Sequence, residues 1–389
     1  MMPALPIPLQ MLLILTAADG DIHFGSLTIS KIALQMLLIF VVACGGALLT
    51  VPLAAAVGGA VGGALVDKPR PGEIQRRPIA RTGGYGIVAA FFLALIISLP
   101  ITDRSGPNND FREYAALAGL TLGAALLIPF AAWDDARRLP PLPQLIAQIA
   151  CALVPVLYGV RIERISNLDI PNWIGGPLSV VWIVGMINAL NWLDTMDGLA
   201  GGVSLIGAFA LFGASLLQRS KLFEQQQNSI ALLGLALAGA CVGFLVYNLP
   251  PARIFMGTSG SMFLGYALGV ISIIGGAKIA TAILVLGLPI LDTALVILQR
   301  LLGRRSPFQG GDGAHLVHRL VAAGYSVRQI VALVYTLTAL FGILSLSLVR
   351  EQRIVGFLLL AAIMGGLLFM LRRRELKQDS RGDGAGSRA

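Results

Sequence analysis

Amide and acidic side chains recur at a regular spacing in one part of this chain. Asn188, Asn191, Asp194 and Asp197 are each three residues apart in the sequence NALNWLDTMDG. This spacing predicts a polar stripe along one face of a helix. Carboxylate and amide oxygens suit Mg²⁺, which uses few protein ligands and completes its shell with substrate phosphates. The stripe therefore predicts a site for magnesium and a phosphate-containing ligand.

A second acidic pair, Asp134-Asp135, ends an apolar run and precedes Arg137-Arg138. Adjacent side chains on a helix point in different directions. We therefore expect one carboxylate to face a cavity while the other meets a cation or a backbone donor. Such a pair suits a catalytic base or a metal ligand.

A Gly- and hydroxyl-rich segment, Phe255-Met-Gly-Thr258-Ser259-Gly-Ser261, lies between two apolar runs. Residues of these types at the start of a helix expose backbone N–H groups, which bind phosphate. We therefore expect a phosphate cradle here.

Two histidines, His315 and His318, follow an acid inside an apolar run, Asp292, and a second acid, Asp312. Two histidines and an acid leave a zinc site open as an interpretation. Binding of an anion by the histidines and Arg319 fits the basic surroundings better.

The rest of the chain must hold these residues in a membrane. Of the 389 residues, 56% are hydrophobic and 13% are charged, whereas a soluble protein has about 25% charged residues. A membrane-spanning helix needs about 20 apolar residues. We therefore predict an all-α, polytopic membrane protein with about eleven transmembrane helices. The predicted spans are 33–58, 84–101, 114–133, 144–160, 177–193, 199–217, 229–248, 262–275, 278–299, 328–349 and 355–371.

The net charge of +9 indicates how the chain is oriented. With eleven spans, most of the basic residues fall on one side, which the positive-inside rule makes cytoplasmic. The N-terminus is then outside and the C-terminus inside. Nucleic acid is excluded as a partner, because it would need a basic face on a soluble domain. We predict one membrane domain over 1–371 and a disordered basic tail over 372–389. Within the domain, residues 1–30 form a lead-in segment whose structure the sequence does not specify.

Five blocks between Asp67 and Arg319 together resemble a known family, the polyprenyl-phosphate N-acetylhexosamine-1-phosphate transferases, or glycosyl transferase family 4. The family includes bacterial enzymes that begin O-antigen, teichoic acid and peptidoglycan lipid intermediates. The blocks follow the family order, and they are Asp67-Lys-Pro with Arg77 to Gly84, Asp134-Asp135 with Leu139, Pro141 and Gln148, Asn188 to Gly198, Phe255 to Ser261, and Asp292 with Asp312 to Leu320.

The resemblance implies transfer of a sugar-1-phosphate from a UDP-N-acetylhexosamine, with UDP-GlcNAc favoured, to undecaprenyl phosphate in the cell membrane. Asp134 and Asp135 would engage the lipid phosphate, one of them as a base. Asp194 and Asp197 would hold Mg²⁺, for which Mn²⁺ is an alternative, or the nucleotide, and Asp197 would also act in catalysis. Thr258 would contact the metal or the diphosphate. The implied substrate-binding residues are Asp67, Arg81, Asn188, Asn191, Ser259, His315, His318 and Arg319.

The chain departs from the family pattern at several positions. Thr258 stands where the family has an acidic metal ligand, Gln144 stands where it has a lysine, and Thr195 replaces a common glycine. The last block lacks an arginine and a histidine, because Gly313 and Val317 occupy those positions. We expect metal affinity or rate to fall unless another acid compensates.

Two other functions stay open on the sequence. A degenerate, non-catalytic paralogue would bind lipid phosphate or nucleotide sugar without turnover. A transporter would have polar residues near the middle of the membrane, but here the acids gather at one face. The sugar and the glycan pathway stay open, as does a homodimer.

Overall fold

Helices dominate the computed structural model of the protein. It describes residues 22–24, 27–29, 31–68, 78–98, 111–137, 139–165, 168–217, 224–274, 278–304, 315–348 and 350–386. The helices in these ranges are α1 (Lys31–Val61), α2 (Gly83–Ser98), α3 (Phe111–Arg137), α4 (Pro141–Leu157), α5 (Asn172–Leu193), α6 (Leu199–Leu217), α7 (Glu224–Asn248), α8 (Gly257–Ile273), α9 (Ile279–Val285), α10 (Gly287–Leu302), α11 (Leu316–Ala322), α12 (Val327–Ser347) and α13 (Arg350–Gly386).

Ten of the eleven predicted spans coincide mainly with one helix each, and 278–299 covers two helices, α9 and α10. Not every helix is long enough to cross a membrane. Within the described ranges, seven helices have the necessary length and hydropathy, and an eighth span results if α9 and α10 are counted as one. Helices α2, α4 and α8 are apolar but shorter. At 1.5 Å per residue, a helix of this length falls short of a hydrocarbon core of about 30 Å. The polytopic all-α prediction is confirmed, while the number eleven and the orientation stay predictions.

The connections between helices follow local chemistry. Proline at the first position of α4 pre-sets its backbone, and Ser326 with Gln329 forms a reciprocal cap at the start of α12. Helices α9 and α10 meet at an angle of 78°. The ring of Pro289 explains this bend, because it would collide with the carbonyl of Val285 in a straight helix.

Large apolar side chains cover the outer surface of the helices. Leu49 on α1 and Leu157 on α4 are about three-quarters exposed. In a soluble protein such a surface would be unfavourable, but in a bilayer it contacts lipid.

Helix α8 lies at the centre of the bundle. Of its 17 residues, Thr258 alone is not buried. It packs against α2, α3, α5 and α6. Its close approach to α2 needs two glycines, since a Cβ atom on Gly84 would overlap the backbone of Gly260. This packing fixes the start of α8 against the ends of its neighbours.

Three two-stranded antiparallel hairpins interrupt the helical pattern within the described ranges. They are β1 (Ile22–Phe24) with β2 (Leu27–Ile29), β3 (Val66–Asp67) with β4 (Ile79–Ala80), and β5 (Arg164–Ile165) with β6 (Leu168–Asp169). In addition, the carbonyl of Ala80 on β4 accepts a hydrogen bond of 2.9 Å from the N–H of Phe255. This backbone contact holds Asp67 and Arg81 next to the segment that leads into α8.

The last helix extends into the segment predicted as a basic tail, and the disorder of that tail stays a prediction. Helix α13 runs from Arg350 to Gly386 and includes most of the segment from 372 onward. The sequence RRRELKQ that follows the last span consists of good helix formers. A helix already formed in the membrane extends through such residues without a new nucleation cost.

Candidate active site

A cavity of about 580 Å³ opens at one end of the bundle, where several helices start or end. Eight of the predicted site residues line it, namely Asp67, Arg81, Asp134, Asp135, Asn191, Asp194, Asp197 and Thr258. Five of these eight are carboxylates and one is a guanidinium, so the cavity is strongly acidic. An excess of negative charge suits a site that binds a cation together with an anionic ligand.

Asp134 and Asp135, the last acids of α3, are both buried. Their side chains diverge, as the sequence predicts. Asp134 accepts the N–H of Leu139 at 2.8 Å and the side-chain amide of Gln144 at 2.7 Å, both on Oδ1. Among the described residues, these donors leave Oδ2 of Asp134 for the cavity.

Asp135 instead caps the N-terminus of α8. Its two oxygens accept the N–H of Thr258 at 2.8 Å and the N–H of Ser259 at 3.1 Å. A carboxylate here is stabilised by the unpaired N–H groups and by the helix dipole. The expected phosphate cradle is therefore occupied by a carboxylate of the protein itself, and the expectation that these two N–H groups are open to a ligand is wrong.

The predicted polar stripe is broken by a turn. Helix α5 ends at Leu193, and Gly198 has a φ of 78°, which favours glycine. Asn191, Asp194 and Asp197 line the cavity. Asn188 lies deeper and donates to the side chain of Gln148 at 2.6 Å. One straight helical face through all four residues is therefore wrong, because the chain leaves the helix before the first acid.

The turn after α5 is held by the segment that follows α7. Asp197 accepts the N–H of Ala252 at 2.9 Å on Oδ2. Asn248 accepts the N–H of Gly198 and donates to the carbonyl of Ile254, each at 2.9 Å. On the other side, the Tyr335 hydroxyl donates to the Gly198 carbonyl at 2.6 Å. The position of the acids thus depends on two neighbouring helices.

Asp194 differs from the other acids of the cavity. Its side chain receives no hydrogen bond from the described residues that surround it, and it is partly exposed to the cavity. Burial raises the pKa of Asp194 to about 7; Arg81 opposes this shift, and the carboxylates of Asp135 and Asp197 add to it. A cation would relieve this unfavourable charge.

Comparison with known proteins identifies the family. The model of glycosyl transferase family 4 matches residues 117–276. A probable undecaprenyl-phosphate N-acetylglucosaminyl 1-phosphate transferase of Bacillus subtilis is 32% identical over 73% of this chain and 77% of its own length. The chain belongs to glycosyl transferase family 4.

Other members are also similar over most of the chain. A decaprenyl-phosphate N-acetylglucosaminephosphotransferase of Mycolicibacterium smegmatis is 32% identical, over 79% of this chain and 82% of its own length. A phospho-N-acetylmuramoyl-pentapeptide-transferase of Methylacidiphilum infernorum is 28% identical, over 68% and 79% respectively. The family consists of phospho-sugar transferases, and the predicted resemblance to this family is confirmed.

Three departures from the family pattern lie on the wall of the same cavity. Gln144, Thr195 and Thr258 all line it. Gln144 is hydrogen-bonded to Asp134, while Thr258 gives its N–H to Asp135. Gln144 and Thr258 thus lie next to the acidic pair, and neither adds a charge.

Five predicted site residues lie outside the cavity wall. Ser259 is fully buried beneath Asp135, Asn188 lies deeper in α5, and His315 is paired with Asp292 at 2.7 Å. His318 on α11 is exposed, and Arg319 is half-buried. Asp312 falls outside the described residues, as do Arg77 and Gly313.

The oxygen donors that line the cavity fit Mg²⁺ better than zinc. Within the described ranges, no three His, Cys, Asp or Glu side chains are close enough to form a metal cage. Such a cage is typical of zinc. Mg²⁺ needs only one or two carboxylates with waters and phosphates, and Asp194 offers a carboxylate that accepts no hydrogen bond from the described residues.

Sequence reasoning missed the residues that hold the site together. Asn248 and Tyr335 are polar residues inside or at the end of apolar runs, which is the signal that could have identified them. Their partners are backbone groups of Gly198, and such contacts cannot be inferred from side-chain types.

Proposed function

We propose that this protein transfers N-acetylhexosamine-1-phosphate from a UDP-sugar to a polyprenyl phosphate, with UDP-GlcNAc as the sugar donor and undecaprenyl phosphate as the acceptor. The observation that carries the proposal is the acidic cavity in which Asp194 has no hydrogen-bond donor from the described residues. The similarity to transferases named for N-acetylglucosamine supports this choice of sugar.

The reaction exchanges one phosphoanhydride for another. An oxygen of the lipid phosphate attacks the sugar-bearing phosphorus of the UDP-sugar, and the bond from this phosphorus to UMP breaks. The products are the lipid diphosphate sugar and UMP. Reactions of this type depend mainly on positioning and on neutralisation of charge.

The residues of the cavity divide these tasks. Asp194 and the second oxygen of Asp197 would hold Mg²⁺ or Mn²⁺, which supplies positive charge to the diphosphate when bound. Asp134 presents Oδ2 to the lipid phosphate and accepts a proton there if the phosphate carries one. Arg81 supplies the cationic group of the cavity wall, and Asn191 offers an amide to the substrate.

The position of the cavity supports access of both substrates to the site. It lies at the ends of α3, α5 and α7 and at the start of α8. A site at the end of the bundle can receive a water-soluble nucleotide sugar from one side and a lipid headgroup from the bilayer. The distribution of the basic segments supports a position of this end on the cytoplasmic side of the cell membrane.

The direct test is release of UMP by the purified protein. The assay contains undecaprenyl phosphate, Mg²⁺ and one of a panel of UDP-N-acetylhexosamines and UDP-MurNAc-pentapeptide. We expect turnover with UDP-GlcNAc that requires both the lipid and the metal, and that falls by about 10²- to 10³-fold in D194N. No turnover with any UDP-N-acetylhexosamine would contradict the proposal, and binding without turnover would favour the degenerate paralogue.

A further inference from the structure

A second polar cluster lies beside the cavity and is formed by α5, α10 and the start of α11. At its centre is Asp292 on α10, whose side chain is 12% exposed. Asp292 is paired with His315, the ring of Trp192 lies against His315, and Arg300 lies over the ring of Trp192. A buried carboxylate in an apolar helix is costly unless it is hydrogen-bonded, so the cluster calls for an explanation.

Asp292 fixes one side chain and one helix start at the same time. Its Oδ2 lies 2.7 Å from Nδ1 of His315, and its Oδ1 accepts the N–H of Leu316 at 2.8 Å. Because an ionised carboxylate can only accept, Nδ1 of His315 carries a proton in this pair. Nε2 is then the ring atom that can meet a ligand.

The cluster is connected to the cavity through Trp192. The ring of Trp192 lies 5.4 Å from that of His315, and the guanidinium carbon of Arg300 lies 5.8 Å from the Trp192 ring centroid. Trp192 directly follows Asn191 in the chain and precedes Asp194 by two residues, and both of these line the cavity. His315 is therefore one side chain away from the turn that carries the acids.

We propose that Asp292 is a positioning residue for the transfer reaction, which holds His315 through Nδ1 and presents Nε2 to the phosphate groups of the substrate. This inference rests on the proposed function. Asp292 itself touches no substrate, because both of its oxygens are engaged with His315 and Leu316. Its effect on the reaction passes through the orientation of the imidazole and the proton on Nδ1.

The alternative is that Asp292 only anchors the start of α11. The variant D292N separates the two roles. Its amide oxygen can still accept the N–H of Leu316, so the anchor is kept. Its NH₂ group faces Nδ1 as a donor, which forces the proton of His315 to Nε2. D292A removes both interactions and reports the combined loss.

The first experiment is a double-mutant cycle on UMP release with D292N, H315Q and the double variant. We expect D292N to lower kcat by about 10- to 100-fold, the usual effect of removing a carboxylate that orients a histidine, with little change in KM or Tm. In the H315Q background, D292N should have no further effect. D169N is the matched control, because Asp169 lies in an exposed ion pair with Arg164 on the β5–β6 hairpin.

The second experiment needs no substrate. The emission of Trp192 is taken as the difference between the wild type and W192F. We expect D292A to change this emission, since it releases His315 from its position against the indole. In the H315Q background, D292A should leave the emission unchanged.

The outcomes separate the two proposals. Two results would overturn the role of Asp292 and leave the transferase assignment intact. One is that D292N and H315Q lower kcat additively in an active enzyme. The other is that D292A does not change the emission of Trp192. A wild type without turnover would overturn the transferase assignment and this role with it.

Discussion

The two acidic pairs of the cavity are bonded in different ways. At the end of α3, Asp134 and Asp135 accept four hydrogen bonds of 2.7 to 3.1 Å, three of them from backbone N–H groups. In the turn after α5, Asp197 accepts one, and Asp194 accepts none from the described residues.

This difference indicates that acids which look alike in the sequence have different roles in the structure. A carboxylate that caps a helix stabilises the fold, and removal of it leaves N–H groups unsatisfied. A carboxylate that has no donor destabilises the fold slightly and is available to a ligand. Asp135 is of the first kind and Asp194 of the second, while Asp134 and Asp197 combine both roles with one oxygen each.

The largest expected effect is on turnover in D194N. We expect UMP release to fall by about 10²- to 10³-fold, the usual cost of removing one group that stabilises charge in the transition state. The Tm should not fall, because no hydrogen bond from the described residues is lost. D169N serves as the matched Asp→Asn control. Near-normal turnover in D194N would contradict the ligand-binding role that distinguishes Asp194 from the Asp134–Asp135 pair.

The second effect is on stability in D135A. The variant leaves the N–H groups of Thr258 and Ser259 without their acceptor, which costs about 1–3 kcal/mol. We expect a clear decrease in Tm, measured by thermal unfolding in detergent. D135N keeps one carbonyl oxygen and should lose less. A D135A protein with the Tm of the wild type would show that Asp135 is no structural cap.

A smaller effect is the pH dependence of stability without metal. The pKa of Asp194 is raised from 3.8 to about 7, so the folded protein holds this proton more tightly than the unfolded chain. The resulting stability is complete below pH 3.8 and is lost as the pH rises through about 7. We expect the Tm in EDTA to decrease over this window, and the decrease to be smaller in D194N. Equal pH profiles for both proteins would refute this assignment.

The smallest effect is expected for Y335F. The hydrogen bond from Tyr335 to the Gly198 carbonyl supports the turn that carries Asp194, and one such bond contributes about 0.5–1.5 kcal/mol. We expect a small decrease in Tm and a several-fold decrease in kcat. Y325F is the control, since Tyr325 lies outside the cavity wall. A change in Tm alone would limit Tyr335 to a structural role.

The sequence predicts the helices well because membrane spans depend on composition alone. Every predicted span is mainly helical, although 278–299 is divided between α9 and α10, since apolar segments in a bilayer must satisfy their backbone groups internally. The extension of α13 beyond the last span was not predicted, because the rule for disorder counts charge and ignores helix propensity. The bend at Leu286 was not predicted. It depends on Pro289, whose ring would collide with the carbonyl of Val285 in a straight helix.

The sequence predicts which acidic residues line the site, but not the groups to which they are hydrogen-bonded. Asp134, Asp135, Asp194 and Asp197 were all identified and do line one cavity. Their partners are backbone N–H groups of Leu139, Ala252, Thr258 and Ser259, and every residue type except proline offers such a group. No pattern of side chains can show which N–H group an acid will meet.

The most direct test of these different roles is the change in Tm on addition of Mg²⁺ to the wild type, D135N and D194N. We predict that Mg²⁺ raises the Tm of the wild type and of D135N, although D135N starts from a lower value, and that D194N does not respond. A normal response to Mg²⁺ in D194N, together with loss of the response in D135N, would contradict the account.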